Sequence, residues 1–175
     1  MKTIEITLYN FLELDEKAKK RAYREALPNI DYWFIEWEWQ KTWEDFTDIF
    51  DIRENRGHWR VWGYGENTDT WSFQKVRRHF IENWPSIGNY KTTKSPEKPE
   101  NMNYEMGCLF KFLSCALRKK ENESLDDIIC EIRREFEKEV QEAIDDYCSY
   151  DTWSENMEWD GETYFLENGT EYIED

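Results

Sequence analysis

Lys2 to Tyr9, KTIEITLY, alternates Ile4, Ile6 and Leu8 with Thr3, Glu5 and Thr7. That period of two predicts a strand with one buried face. The period then changes. LDEKAKKRAYREAL, Leu14 to Leu27, is rich in helix formers and places Ala18, Ala22, Tyr23 and Ala26 on one side. Asp15 is positioned to cap the helix and Pro28 to end it.

Residues 32 to 46, YWFIEWEWQKTWEDF, hold Trp33, Trp37, Trp39 and Trp43. Trp33, Ile35, Trp37 and Trp39 alternate with Phe34, Glu36 and Glu38, but the alternation stops at Gln40. A helix from Asp31 to Phe50 accounts for more, because Glu36, Gln40, Lys41, Glu44, Asp45 and Asp48 then fall into one polar stripe. Ile30, Phe34, Trp37, Trp39, Trp43, Phe46, Ile49 and Phe50 cover the remaining circumference, so the helix is predicted to be mostly buried. Aromatic density of this kind is a core far more often than a base-stacking platform, which needs a basic groove beside it.

HWRVWGYG, His58 to Gly65, and DTWSF, Asp69 to Phe73, read as two strands around the turn Gly65 to Thr68, with Trp59 and Val61 on one face. VRRHFIENW, Val76 to Trp84, predicts a short helix before Pro85. Ser86 to Asn103 is a long polar connection with Lys91, Lys94 and Lys98, expected to be a mobile loop. Tyr104 to Lys120 predicts an apolar helix. Ser124 then opens an N-cap pattern, and Leu125, Ile128, Ile129, Ile132, Phe136, Val140, Ala143, Ile144 and Tyr147 follow at helical spacing. Asp160-Gly161 and Asn168-Gly169 are hairpin signals and predict a small antiparallel meander at the end. The class is α+β: a small antiparallel sheet from the N-terminal strand, central strands and C-terminal hairpin, packed with about four helices in a single domain over 1–175.

Composition narrows the class. Aromatic residues make up 17% and charged residues 35% of 175, a mixture that can build a core and is unlike a disordered chain. No apolar run approaches the ~18 residues of a membrane span, and no charged-then-apolar leader precedes Thr3, so a soluble intracellular protein with no membrane partner is expected. Cys108, Cys115, Cys130 and Cys148 contain no Cys-x-x-Cys pair and are expected as reduced thiols; a zinc site borrowing His58 or His79 is the weaker reading.

The net charge of -16 is unevenly placed. Residues 1 to 120 hold 20 Lys and Arg against 19 Asp and Glu, whereas residues 121 to 175 hold 3 against 20. A one-ended acidic block attracts basic partners and repels nucleic acid. Within it Asp127, Glu131, Glu135, Glu139, Glu142 and Asp146 recur every three or four residues, a carboxylate row opposite the apolar seam. Successive members stand about 6 Å apart along the axis, similar to the charges a nucleic-acid backbone offers a basic groove. A solvated helix face is the bland alternative. Asp151, Glu155, Glu158, Asp160 and Glu162 crowd the next stretch; they suit a hard cation in type but lack EF-hand spacing. With two histidines, no Gly-x-Ser-x-Gly, no phosphate loop and no His-Glu-x-x-His, no catalytic residue and no cofactor is expected.

Three segments carry a resemblance: TIEITLYNFLELDEKAKKRAYREA, IDYWFIEWEWQKTWEDFTDIFDI and EVQEAIDDYCSYDTWSENMEWDGETYFLENGTEYI, roughly half the chain. They resemble a family of small proteins encoded by bacteriophages and integrated elements. The middle departs from it: GYGENTDTWSF stands where relatives have an aromatic, Gly-rich stretch with a Gly-Asp-Gly turn. Small acidic phage proteins of this kind are similar to host-defence inhibitors, including anti-CRISPR proteins directed at the RNA-guided DNA nuclease of type II systems. The resemblance implies a non-enzymatic inhibitor in the host bacterial cytoplasm. Its partner would be that CRISPR effector nuclease, or another basic nucleic-acid-binding protein, without direct binding of nucleic acid. The carboxylate row supplies the expected electrostatic contact: Asp127, Glu131, Glu135, Glu139, Glu142 and Asp146, with Asp151, Glu155, Glu158 and Asp160 beside them. A metal-dependent hydrolase using residues 151 to 162, or a structural, oligomerising phage protein, are the rival readings.

Overall fold

A computed structural model of the chain describes residues 5–55, 57–62, 68, 71–83, 104–117 and 124–173. Among them are six helices and one two-stranded antiparallel sheet, an α+β arrangement. Within the span expected to form one domain, the chain gathers into two compact units, Met1–Phe34 with Glu142–Asp175, and Ile35–Gln141.

In the first unit Asn10 caps a 3-10 turn, Phe11–Glu13, and exchanges backbone and side-chain hydrogen bonds with Glu13. Helix α1, Glu16–Ala26, begins where the sequence places its cap: the Ala18 N–H donates to Asp15 Oδ1 at 2.7 Å. Pro28 sits in the 3-10 turn Leu27–Asn29 that ends it. The core joins Phe11, Leu14, Ala18 and Ala22 to Trp153 and Phe165. Phe11 meets Trp153 edge to face at 5.3 Å, and the Tyr23 hydroxyl donates to the Cys148 carbonyl at 2.7 Å.

The strand predicted over Lys2 to Tyr9 is replaced by a single bridge. Tyr9 and Phe165 exchange both backbone hydrogen bonds, at 2.9 and 2.8 Å, while Glu5 to Leu8 pair with no strand and Ile6 is exposed. Lys2 to Ile4 lie outside the described residues. The C-terminal meander likewise shrinks to an isolated bridge, Phe165 to Glu171, around Asn168-Gly169. Tyr164, Phe165 and Leu166 are consecutive apolar residues that cannot alternate, and only Phe165 is buried. Asp160-Gly161 is no hairpin turn. Asp160 instead ends a helix at Tyr150–Trp159 that the sequence reading left out.

In the second unit helix α2, Trp33–Ile49, contributes from Ile35 onward, and Ile35, Trp39, Thr42, Trp43 and Phe46 form its buried stripe. Trp37 corrects the sequence reading. It is 56% exposed, as Trp33 is 60% exposed in the first unit, because one helix buries one stripe and Trp37 lies two residues, about half a turn, from Trp39. The Lys41 ammonium sits 5.6 Å from the Trp37 ring centre. Trp37→Ala is therefore expected to change stability by less than about 1 kcal/mol, read as a nearly unchanged melting temperature.

Asp51, at φ 51°, turns the chain into β1, Ile52–Asn55, which pairs with β2, His58–Val61, in the register Ile52 to Val61 and Asn55 to His58. Trp59 and Val61 face the core as expected, but the partner of β2 precedes it in the chain. The strand predicted at Asp69 to Phe73 is not formed: Trp71 and Ser72 are irregular and Phe73 opens α3, Phe73–Asn83. Asp69 and Thr70, most of the turn Gly65 to Thr68, Trp84 and the connection Ser86 to Asn103 lie outside the described residues. Helices α4, Tyr104–Ala116, and α5, Leu125–Tyr147, follow as predicted, with Arg118 to Lys120 not described. The helix Tyr150–Trp159 is α6.

Candidate functional site

Helix α5 begins with a reciprocal cap. The Asp127 N–H donates to Ser124 Oγ at 3.2 Å and the Ser124 N–H donates to Asp127 Oδ2 at 3.1 Å. The first carboxylate of the predicted row is thus occupied at a helix N-terminus, where the dipole favours it. Neighbouring Asp126, which sequence reasoning passed over, holds the sheet: Oδ1 accepts the Trp59 N–H at 2.5 Å and Oδ2 lies 2.7 Å from His58 Nδ1.

Farther along this part of α5, Glu131, Glu135 and Glu139 are half-buried and interleaved with cations. Arg134 Nη2 donates to Glu135 Oε1 at 3.2 Å and Arg133 Nε to Glu137 Oε1 at 2.8 Å. The Arg133 guanidinium also lies 5.9 and 6.0 Å from the Trp43 and Trp59 ring centres.

The acidic residues of the first unit have a different setting. Beyond Lys138 the sequence contains no Lys or Arg. Glu142, Asp145 and Asp146 are exposed on the final turns of α5, and Asp151, Glu155 and Glu158 are exposed on α6. Helix α6 forms because Ser149 caps it, accepting the Thr152 N–H at 3.2 Å, and because Tyr150, Trp153 and Met157 recur at steps of three and four on its packed side. Asp151, Glu155 and Glu158 share the outer side. Their field reaches Tyr150, whose hydroxyl is pushed above its ordinary value by burial first, then by Glu16, Asp151 and Glu158. Burial, then Asp145, likewise raises the Cys148 thiol.

Asp160 differs from its neighbours. The Thr163 hydroxyl donates to its Oδ2 at 2.5 Å and the Glu162 N–H to its Oδ1 at 3.0 Å, and these bonds hold its carboxyl below the usual range. It shapes the turn after α6. Among the described residues no group of three or more His, Cys, Asp or Glu side chains is arranged to hold a metal ion. His79, the other histidine considered for zinc, is buried and donates from Nε2 to the Phe50 carbonyl at 2.8 Å. None of the four cysteines is in a disulfide: Cys108 is buried, Cys148 half-buried, and Cys115 and Cys130 exposed. Among the described residues no helix is long and apolar enough to cross a membrane.

Set beside known proteins, the chain matches no family model, no curated protein and no solved structure.

Proposed function

We propose that this chain is a non-enzymatic binding protein whose C-terminal acidic surface docks on a basic, nucleic-acid-handling surface of a bacterial nuclease. The resemblance of its end segments points to the RNA-guided DNA nuclease of type II CRISPR systems. Such nucleases hold nucleic acid in positively charged channels, and an acidic protein seated there competes with it. The observation that carries this reading is the exposed set Glu142, Asp146, Asp151, Glu155 and Glu158 in a stretch without a single cation.

The placement of these charges supports function over solubility. Asp145 and Asp146 occupy the last turn of α5, where the helix dipole disfavours anions, and that turn contains no Lys or Arg of its own. A local rule broken at a surface is an ordinary mark of a functional patch. The contact set is narrower than the full carboxylate row, because Asp127 caps its helix, Glu135 meets Arg134 and Asp160 forms a turn.

The test combines E142Q, D146N, D151N, E155Q and E158Q in one variant. Folding is expected to survive, since each change preserves shape and the positions are exposed. Inhibition of a purified type II nuclease is expected to weaken at least tenfold, mainly through slower association, and added salt should harm the parent more than the variant. Equal inhibition by both proteins at every salt concentration would place the contact elsewhere. Inhibition at substoichiometric protein would favour a catalytic mechanism.

A further inference from the structure

Trp159, the last residue of α6, is 91% exposed. An indole left this open to water forgoes the burial that ordinarily stabilises so large a ring. Asp151, Glu155 and Trp159 follow one another at steps of four, so the ring stands one turn, about 6 Å along the axis, beyond the Glu155 carboxylate. Among the described residues neither Asp151 nor Glu155 has an ion pair, and no cation of the chain lies over the Trp159 ring.

Other tryptophans of this protein show what such rings take. The Lys41 ammonium lies 5.6 Å from the Trp37 ring centre, the Arg53 guanidinium 5.6 Å from that of Trp62, and the Lys75 ammonium 4.5 Å from that of Trp71. Trp37 and Trp62 are both more than half exposed, so these cations hold their places at the surface. Two of the three cations come from one helical turn away and the third from the facing strand. Trp159 has no such neighbour, because the sequence contains no Lys or Arg after Lys138.

We propose that Trp159 and Glu155 together receive an arginine side chain of a partner protein. The positive sign of that partner rests on the acidic-surface reading; the preference for arginine rests on the indole. A guanidinium is flat and weakly hydrated, so it stacks on the ring while its edge donates two hydrogen bonds to one carboxylate. A lysine ammonium answers the charge but keeps more of its water and cannot stack. An apolar partner segment would strip water from Glu155 and Asp151 and return no hydrogen bond.

The test is NMR titration of the full chain with capped hexaarginine and hexalysine peptides, following the indole N–H of Trp159, which its loss in Trp159→Phe assigns. Both peptides are expected to bind the acidic end, hexaarginine about two- to fivefold more tightly and with a saturable shift of the Trp159 signal. Trp159→Ala is expected to melt like the parent, to lose about two- to fivefold in hexaarginine affinity and to keep its hexalysine affinity. Trp159→Phe, which retains a weaker aromatic face, should fall between the two and serves as the second variant should the alanine protein fold badly. Glu155→Gln should weaken both peptides.

Hexaarginine affinity unchanged in Trp159→Ala overturns the proposal and leaves the acidic-surface reading intact. Failure of both peptides to bind the parent overturns the two together. A Trp159 signal that moves with protein concentration alone, or with phosphatidylcholine vesicles, gives the ring to a second copy or to a lipid surface and sinks the arginine assignment.

Discussion

Phe46→Ala is expected to lower the melting temperature by about 6–20 °C, equivalent to about 3–5 kcal/mol. Phe46 is fully buried in the second unit and lies between Trp43 at 5.7 Å, Phe50 at 5.2 Å and Phe110 at 5.9 Å, measured between ring centres. Removing its ring forfeits the transfer energy of the side chain and leaves a cavity whose walls are themselves rigid rings, able to collapse only in part. Differential scanning calorimetry beside Trp37→Ala isolates burial from aromatic content, since both variants lose one large ring. A loss for Phe46→Ala no greater than that for Trp37→Ala would mean that the ring cluster does not organise this core.

Gly169→Ala is expected to be as damaging for a different reason. A methyl group at this position would lie 2.1 Å from the Ala18 carbonyl oxygen and 2.7 Å from its carbon, atoms of the α1 backbone that cannot swing aside. The backbone there also has φ +85°, which only glycine adopts freely. Strain and displacement together cost about 2–5 kcal/mol. Hydrogen exchange at the amides of Tyr9, Phe165 and Leu166 should accelerate by about a hundredfold as the bridges around the C-terminal loop open more often. Gly161→Ala is the control, since a methyl there meets nothing within 4 Å. Equal exchange in the two variants would show that the loop tolerates release from α1.

Helices were readable wherever spacing and a cap agreed. Asp15 and Ser124 each stand one residue before the helix they begin, and the apolar seam Leu125, Ile128, Ile129, Ile132 and Phe136 is buried throughout. Helix α6 carries the same signals, Ser149 followed by Tyr150, Trp153 and Met157, but they are overlaid by a run of acidic residues whose type also suits a cation. Strands were less legible. Pairing depends on a partner elsewhere in the chain, and IREN, half of the sheet formed among the described residues, has no alternation of its own to announce it. Burial of tryptophan was over-read for a related reason: composition counts rings, whereas a helix faces its core along one stripe, which passes through Trp39 and Trp43 and misses Trp37. The acidic end was fully visible in the sequence. Which carboxylates are already engaged was not, because the caps, turns and ion pairs of Asp127, Asp160 and Glu135 depend on local geometry.

The short hairpin β1–β2 brings exposed Arg53 directly opposite half-buried Arg60, with His58 on the same face. Like charges facing each other across a strand pair weaken it slightly, and Ile52, Trp59 and Val61 on the buried face offset that cost. An added strand from another molecule would have to stack further guanidinium groups about 4.8 Å away, with no core of its own to compensate. Fibril growth from this edge is thereby opposed from the first layer. In a chain so rich in aromatic residues, β1–β2 thus sets two arginines side by side where cross-β assembly would have to stack them layer upon layer.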